Sequence, residues 1–182
     1  IKKYVLDRGL KARNMVSVFP SITAGAITSM LTGTHPGHHK IPNFTWVNRQ
    51  TCEFRCYIGG DIMHFESDLY ENAMTVFQYL PKDESASFGF IQGRQAGKDD
   101  SLMFSALNPF HEYAPLSHIF INDIFSKIGV GSGVPVPHLL AYYEWAVDIK
   151  SHQVGKGQYS QDVHAVMKRV DHQVGRIVRA YQ

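Results

Sequence analysis

The sequence predicts an α/β fold: a mostly parallel sheet with helices on both faces. Three observations carry this expectation. Strand-like and helix-like segments alternate along the chain, the pattern of strands joined by helical crossovers. The run from His138 to Val147 is almost wholly apolar and aromatic, as a strand buried on both faces should be. Val163, Val166, Val170, Val174, Ile177 and Tyr181 recur on one helical stripe, and Ser160 stands where an N-cap belongs.

Each element follows from local pattern. Residues 2–13 place Val5, Leu6 and Leu10 among basic residues, a short amphipathic helix. Met15 to Phe19 is a brief apolar run stopped by Pro20, which reads as a strand. Thr23 to Leu31 is small and helix-compatible, with Gly33 as the stop. Thr34 to Gln50 is rich in Pro, Gly, His and Asn and reads as a loop. Asp68 and Glu71 form a variant capping box, after which Leu69, Ala73, Val76, Phe77 and Leu80 keep helical spacing up to Pro81. Ala86 to Ile91 reads as a strand, 93–114 as polar and irregular, and Leu116 to Ile128 as a helix ending at Gly129. Gly129 to Pro137 must be a loop. The long segments 34–65 and 93–114 are the expected substrate-facing insertions in a single domain spanning 1–182.

Composition narrows the class. At 182 residues the chain has room for one domain with a sizeable core. It is 44% hydrophobic and 19% charged, which excludes wholesale disorder. A net charge of +2 is too balanced for an electrostatic binder of duplex nucleic acid. No apolar run reaches the roughly 20 residues of a membrane-spanning helix. Cys52 and Cys56 are too few for a disulfide scaffold or a four-cysteine zinc site, and they read as free thiols or as one disulfide of an exported protein. Ten histidines direct attention to metal and acid–base chemistry. The chain starts at Ile1 without Met or a signal pattern, so the natural start, and any targeting signal, is expected elsewhere.

Two segments concentrate chemistry. In Phe19-Pro20-Ser21-Ile22-Thr23 a turn feeds a helix, and Thr23 falls at its N-terminus, where free N–H groups and the dipole favour an anion. Its hydroxyl is a candidate phosphate binder or nucleophile; the simpler reading makes Ser21 or Thr23 an N-cap. In Val147-Asp148-Ile149-Lys150-Ser151-His152, Asp148 follows the buried run, at the carboxyl end of its strand, the edge where open parallel sheets bind ligands. A carboxylate with an imidazole four residues on suits a zinc-type ion; the simpler reading is a loop Asp and a surface His.

Together the two segments resemble the type I phosphodiesterase/nucleotide pyrophosphatase branch of the alkaline phosphatase superfamily. The family's nucleophile segment, F-P-S-x-T, a short helix and then T-G-x-x-P-x-x-H-G-I-x-x-N, is matched by Phe19 to Thr23 and by Thr32-Gly33-Thr34-His35-Pro36-Gly37-His38-His39-Lys40-Ile41-Pro42-Asn43. The second signature, D-x-x-x-H, a Gly-containing loop and a helix with V-D-x-x-(I/V)-G, is matched by Asp148, His152, Gly155 and Val170-Asp171-His172-Gln173-Val174-Gly175. The resemblance implies an alkaline-phosphatase-like sheet. It also implies two divalent metals, zinc by expectation, and hydrolysis of phosphate esters or nucleotide pyrophosphates through a phospho-threonine intermediate. Thr23 matches the nucleophile, which also ligates one metal, and Asp148 and His152 match ligands of the other.

Further family ligands have no counterpart here: an Asp in an upstream D-G, an Asp-His pair in a downstream S-D-H-G, and a final His. Asp7-Arg8-Gly9 is a poor substitute for the first, only 16 residues before Thr23 and helical by pattern. Ala26 stands where nucleotide pyrophosphatases of the family carry a phosphate-binding Asn, which leaves the substrate open, and Lys40 replaces the usual Gly after the His pair. His38 and His39 read as loop-shaping, Asp171 as pairing within its helix, Arg94 and Lys98 as a solvated loop, and Tyr142, Tyr143 and Trp145 as sheet core. No P-loop or dinucleotide-binding glycine motif occurs. The alternative to an enzyme is a non-catalytic binding or structural piece of such a domain. A sulfatase relative is disfavoured because no C/S-x-P-x-R motif is present.

Overall fold

The computed structural model describes residues 3, 7–9, 14–88, 91–93, 95–99, 114–133, 135–155 and 157–182. The helix expected over 2–13, with Val5, Leu6 and Leu10, falls almost wholly outside them, as do Arg94 and most of 93–114. Asp7-Arg8-Gly9 forms an exposed turn rather than a helix.

The described residues form a mixed α/β fold. Its helices are α1 (Thr23–Thr32), α2 (Pro36–His39), α3 (Phe65–Asp68), α4 (Ala114–Ile128), α5 (Ala146–Val154) and α6 (Gln161–Ala180). Its strands are β1 (Thr45–Asn48), β2 (Glu53–Cys56), β3 (Ser85–Phe88), β4 (Lys98–Asp99) and β5 (Leu139–Tyr142). β1 and β2 make an antiparallel hairpin with Val47 opposite Phe54. β3 pairs in parallel with β4 on one side and β5 on the other, Ser87 opposite Ala141.

The alternation of side chains along these strands divides the core. Ala86, Phe88, Leu140 and Tyr142 pack with Ile121, Ile124 and Ile128 of α4 and Ile177 of α6. Leu139 and Ala141 belong to a second cluster with Leu31 and Ile27 of α1 and with Phe77. A third joins Ala24 of α1 and Ile41 to Tyr57, Trp46 and Phe65 around the hairpin. Each fully buried Ile or Phe is worth about 1.5–3 kcal/mol, so these clusters fix how α1 and α4 sit against the sheet.

Several helix ends are as the sequence predicts. Gly33 closes α1 at φ 65°, its N–H bonded to Ser29 O. Ser160 caps α6, its hydroxyl accepting from Asp162 N–H at 3.2 Å. Among the described residues no helix is long and apolar enough to cross a membrane.

Five expectations are corrected. Met15 to Phe19 is not a strand: the run is irregular and exposed, Phe19 to 97%, with no partner strand among the described residues. The segment 34–50 is not one loop, since it contains α2 and β1. The strand expected over 138–147 stops at Tyr142, and Ala146 already begins α5 because the Glu144 carboxylate accepts its N–H at 2.9 Å. The helix expected over 69–80 does not form. Asp68 ends α3 instead of capping a new helix, and its buried carboxylate takes bonds from Arg55 Nε at 3.0 Å, Asn48 Nδ2 at 3.2 Å and Tyr57 Oη at 3.2 Å. Leu69 then packs in the hairpin cluster while Phe77 packs against the sheet. Two cores draw the segment out, and tertiary contacts override helical propensity. The expected strand over 86–91 is shorter, ending at Phe88.

Cys52 and Cys56 are free thiols. Four residues along a strand span roughly 13 Å, beyond the Cα separation a disulfide tolerates.

Candidate active site

Thr23 is the first residue of α1. The residue before it, Ile22, occupies the N-cap position in extended backbone and has no side-chain acceptor. Backbone bonding begins with Ala26 N–H to Ile22 O at 2.9 Å. Among the described residues the N–H groups of Thr23, Ala24 and Gly25 therefore have no partner, and neither Ser21 nor Thr23 serves as the cap. The helix start is an open donor cluster at the positive end of the dipole.

The segment after α1 fixes its orientation. His39 is fully buried. Its Nδ1 accepts from Ile41 N–H at 3.2 Å, so the proton sits on Nε2, which donates to Ser29 Oγ at 2.9 Å. Burial first, then the neighbouring His38, pushes its pKa down to about 4, so the ring is neutral at neutral pH. It shapes the loop, as its sequence position suggests. A Cβ on Gly25 would meet Pro42 O at 3.0 Å, so this helix turn lies directly on the 41–42 backbone. Lys40, where the family has Gly, takes a left-handed φ of 68° to end α2. That conformation explains the preference for glycine there.

Asp148 does not lie at the end of a strand. It is the third residue of α5, six residues beyond Tyr142. It nevertheless reaches the same place as Thr23: both line one cavity of about 390 Å3. The cavity gathers the α1 start, the residues following β3 and β5, and the hairpin side. Its polar members are Thr23, Asp148, Gln92 and Tyr57, and Phe44, Ile58, Ile62 and Trp145 contribute apolar surface. Among the described residues that line it there is no Lys, Arg or His.

Of the aromatics expected in the sheet core, Tyr143 packs against the cluster of Leu31 and Phe77 and also lines this cavity, where it meets Trp145 edge to face with centroids 5.5 Å apart. Burial and then the charge of Asp148 raise the Tyr143 pKa. Tyr142 packs in the core with α4, its pKa pushed up by burial and by Glu144. Gln92 was not singled out by the sequence, yet it follows a strand-like run at the carboxyl edge, the same signal that points to Asp148. Lys98 lies in β4 and Asp171 on the exposed side of α6; neither lines the cavity.

His152 lies one turn after Asp148 on α5, its Nε2 3.6 Å from Asp148 Oδ1. Its side chain is 82% exposed and is not part of the cavity wall. A carboxylate and an imidazole are donor types that zinc takes, and of the two only Asp148 shares the cavity with Thr23. Among the described residues no group of three His, Cys, Asp or Glu side chains is arranged to hold a metal ion. The donors present are thus a partial set.

The family model described as type I phosphodiesterase / nucleotide pyrophosphatase matches residues 3–182. No curated protein and no solved structure matches the chain.

Proposed function

Because the chain belongs to the type I phosphodiesterase/nucleotide pyrophosphatase family, whose hydrolases act on small phosphate esters or nucleotides and are generally metal-dependent, we propose that Thr23 is its nucleophile. We place residues 1–182 in a single partial catalytic domain of alkaline-phosphatase-like fold. The observation that supports the reading best is the cavity shared by Asp148 and Thr23 at the uncapped start of α1.

Thr23 Oγ attacks phosphorus in line. The Oγ–P bond forms as the bond to the leaving oxygen breaks and the hydroxyl proton passes to that oxygen, giving a phospho-threonine and an alcohol or phosphate. Water then attacks the same phosphorus, the Oγ–P bond breaks, and the proton lost by water restores the hydroxyl. The N–H groups of Thr23, Ala24 and Gly25 meet negative charge developing on the phosphoryl oxygens. Thr23 would hold one divalent metal, and Asp148 with His152 the other; bound metal, zinc by expectation, supplies a lowered hydroxyl pKa and charge neutralisation.

The test is hydrolysis of a chromogenic phosphodiester by the complete protein. Thr23→Ala should lower turnover by orders of magnitude and abolish the trapped phospho-enzyme, while Thr23→Ser keeps part of both. Because Ile22 holds the N-cap position, Thr23→Ala should not incur the cost of about 1 kcal/mol that a lost cap carries. Parental turnover in Thr23→Ala refutes the nucleophile. No hydrolysis by the complete parent protein would favour the second reading, a non-catalytic binding module, whose support is that no group of three His, Cys, Asp or Glu side chains among the described residues is arranged to hold a metal ion.

A further inference from the structure

Gln92 is 4% exposed and lines the cavity that holds Thr23 and Asp148. Its side-chain amide has no hydrogen-bond partner among the described residues. Among the described residues, the fully buried side-chain atoms left without a hydrogen bond are Ser87 Oγ, Asp123 Oδ2 and Gln173 Oε1, none of which belongs to a residue lining this cavity; the amide of Gln92 is not one of them, as befits a group that faces the cavity space. A largely buried amide is normally hydrogen-bonded. Here that amide opens onto a space of ligand size, so a bound molecule can satisfy it.

The surroundings indicate which part of a ligand it meets. The turn 91–93 packs against the turn 61–64, which carries Ile62 into the cavity wall, and against α3. Gln92 thus shares its part of the cavity wall with Ile62. Tyr143 and Trp145 add aromatic surface to the wall. A neutral carboxamide, one donor face and one acceptor oxygen, does not neutralise a phosphate; it matches a neutral group that both accepts and donates.

Resting on the phosphoester reading above, we propose that Gln92 is a specificity-determining, substrate-binding residue. It hydrogen-bonds a neutral polar group on the flat organic portion of the ester and selects such esters over purely hydrocarbon ones.

The test compares binding of phenyl phosphate and 4-carbamoylphenyl phosphate to the protein, followed by quenching of tryptophan fluorescence. The carbamoyl ligand should bind at least about ten-fold more tightly, the scale of a buried polar group paired against one left unpaired. Gln92→Met, close in shape but apolar, should erase that preference and change phenyl phosphate affinity by no more than about two-fold. Its melting temperature should hold or rise, because no internal hydrogen bond is lost. Gln92→Ala provides the same comparison should Met disturb packing. Retained preference in the variants, or equal loss for both ligands, overturns the role of Gln92 and leaves the Thr23 reading standing. A drop in melting temperature in both variants marks Gln92 as structural and overturns it likewise. Failure of the parent protein to bind either ligand overturns both readings.

Discussion

A buried neutral imidazole held between one donor and one acceptor makes His39 sensitive to pH. The native state holds it uncharged, with Nδ1 accepting from Ile41 and Nε2 donating to Ser29. Its pKa is about 4 in the fold, against 6.5 for the free side chain. A depressed folded pKa means that protonation favours the unfolded chain. The stabilisation is therefore complete above pH 6.5 and is lost as pH falls from there towards 4. His39→Gln, which does not titrate, should be less stable than the parent by about 1–3 kcal/mol at pH 7, the scale of broken buried hydrogen bonds. That gap should close progressively between pH 6.5 and 4 in urea unfolding. A gap that stays constant over this range would show that His39 does not titrate with folding. The charged residue of comparable consequence is Asp68, 1% exposed and held by Arg55, Asn48 and Tyr57. Its type invites a capping role from sequence, because nothing local signals an arginine thirteen residues earlier.

Among the elements, β4 depends on one glycine. A Cβ on Gly97 would collide with the Lys82 carbonyl, and Gly97 N–H donates to Ser85 Oγ at 3.1 Å. Backbone against backbone cannot relax by a rotamer change, so Gly97→Ala should cost about 2–3 kcal/mol, the upper range of overpacking. Thermal unfolding measures it, and an unchanged melting temperature would show that the 82–84 turn can move aside. Which elements were legible follows from how local their causes are. α1 carries its own stop in Gly33, and α6 its own cap in Ser160 together with a regular valine stripe. The helix expected over 69–80 had equally good spacing, but Leu69 and Phe77 belong to different cores. Spacing records which residues are buried and is silent on whether they share one core. The His138–Val147 run fails in a related way. Its apolar character is real, yet it serves a strand, a cavity wall and a helix start in turn.

At the scale of the whole molecule, the candidate site is a meeting of segments distant in sequence. Thr23 was legible as a helix start after a turn, and Asp148 as a carboxylate following a buried run. Their shared cavity depends on α1, β3 and β5 packing together. The cavity's neutral wall was not legible, since Phe44, Tyr57 and Gln92 reach it through hairpin and turn geometry that no short motif encodes. The same arrangement sets an expectation for metal. Asp148 and His152 come from one helix, are 3.6 Å apart and are joined by no third His, Cys, Asp or Glu among the described residues. A zinc site takes about four donors, and apparent binding free energies of about 10–16 kcal/mol are reached by complete structural sites. Two exposed donors on one helical turn supply only a part of that coordination, and water competes for both. The 182-residue chain should therefore bind zinc weakly in calorimetry, and chelation should leave its melting temperature unchanged because its fold does not use the ion. Asp148→Asn and His152→Ala should each weaken the residual binding further without lowering stability. Tight stoichiometric zinc binding by this chain, or a melting temperature that falls on chelation, would mean that its own residues complete the centre. In that case the partial donor set assigned to Thr23, Asp148 and His152 would be wrong.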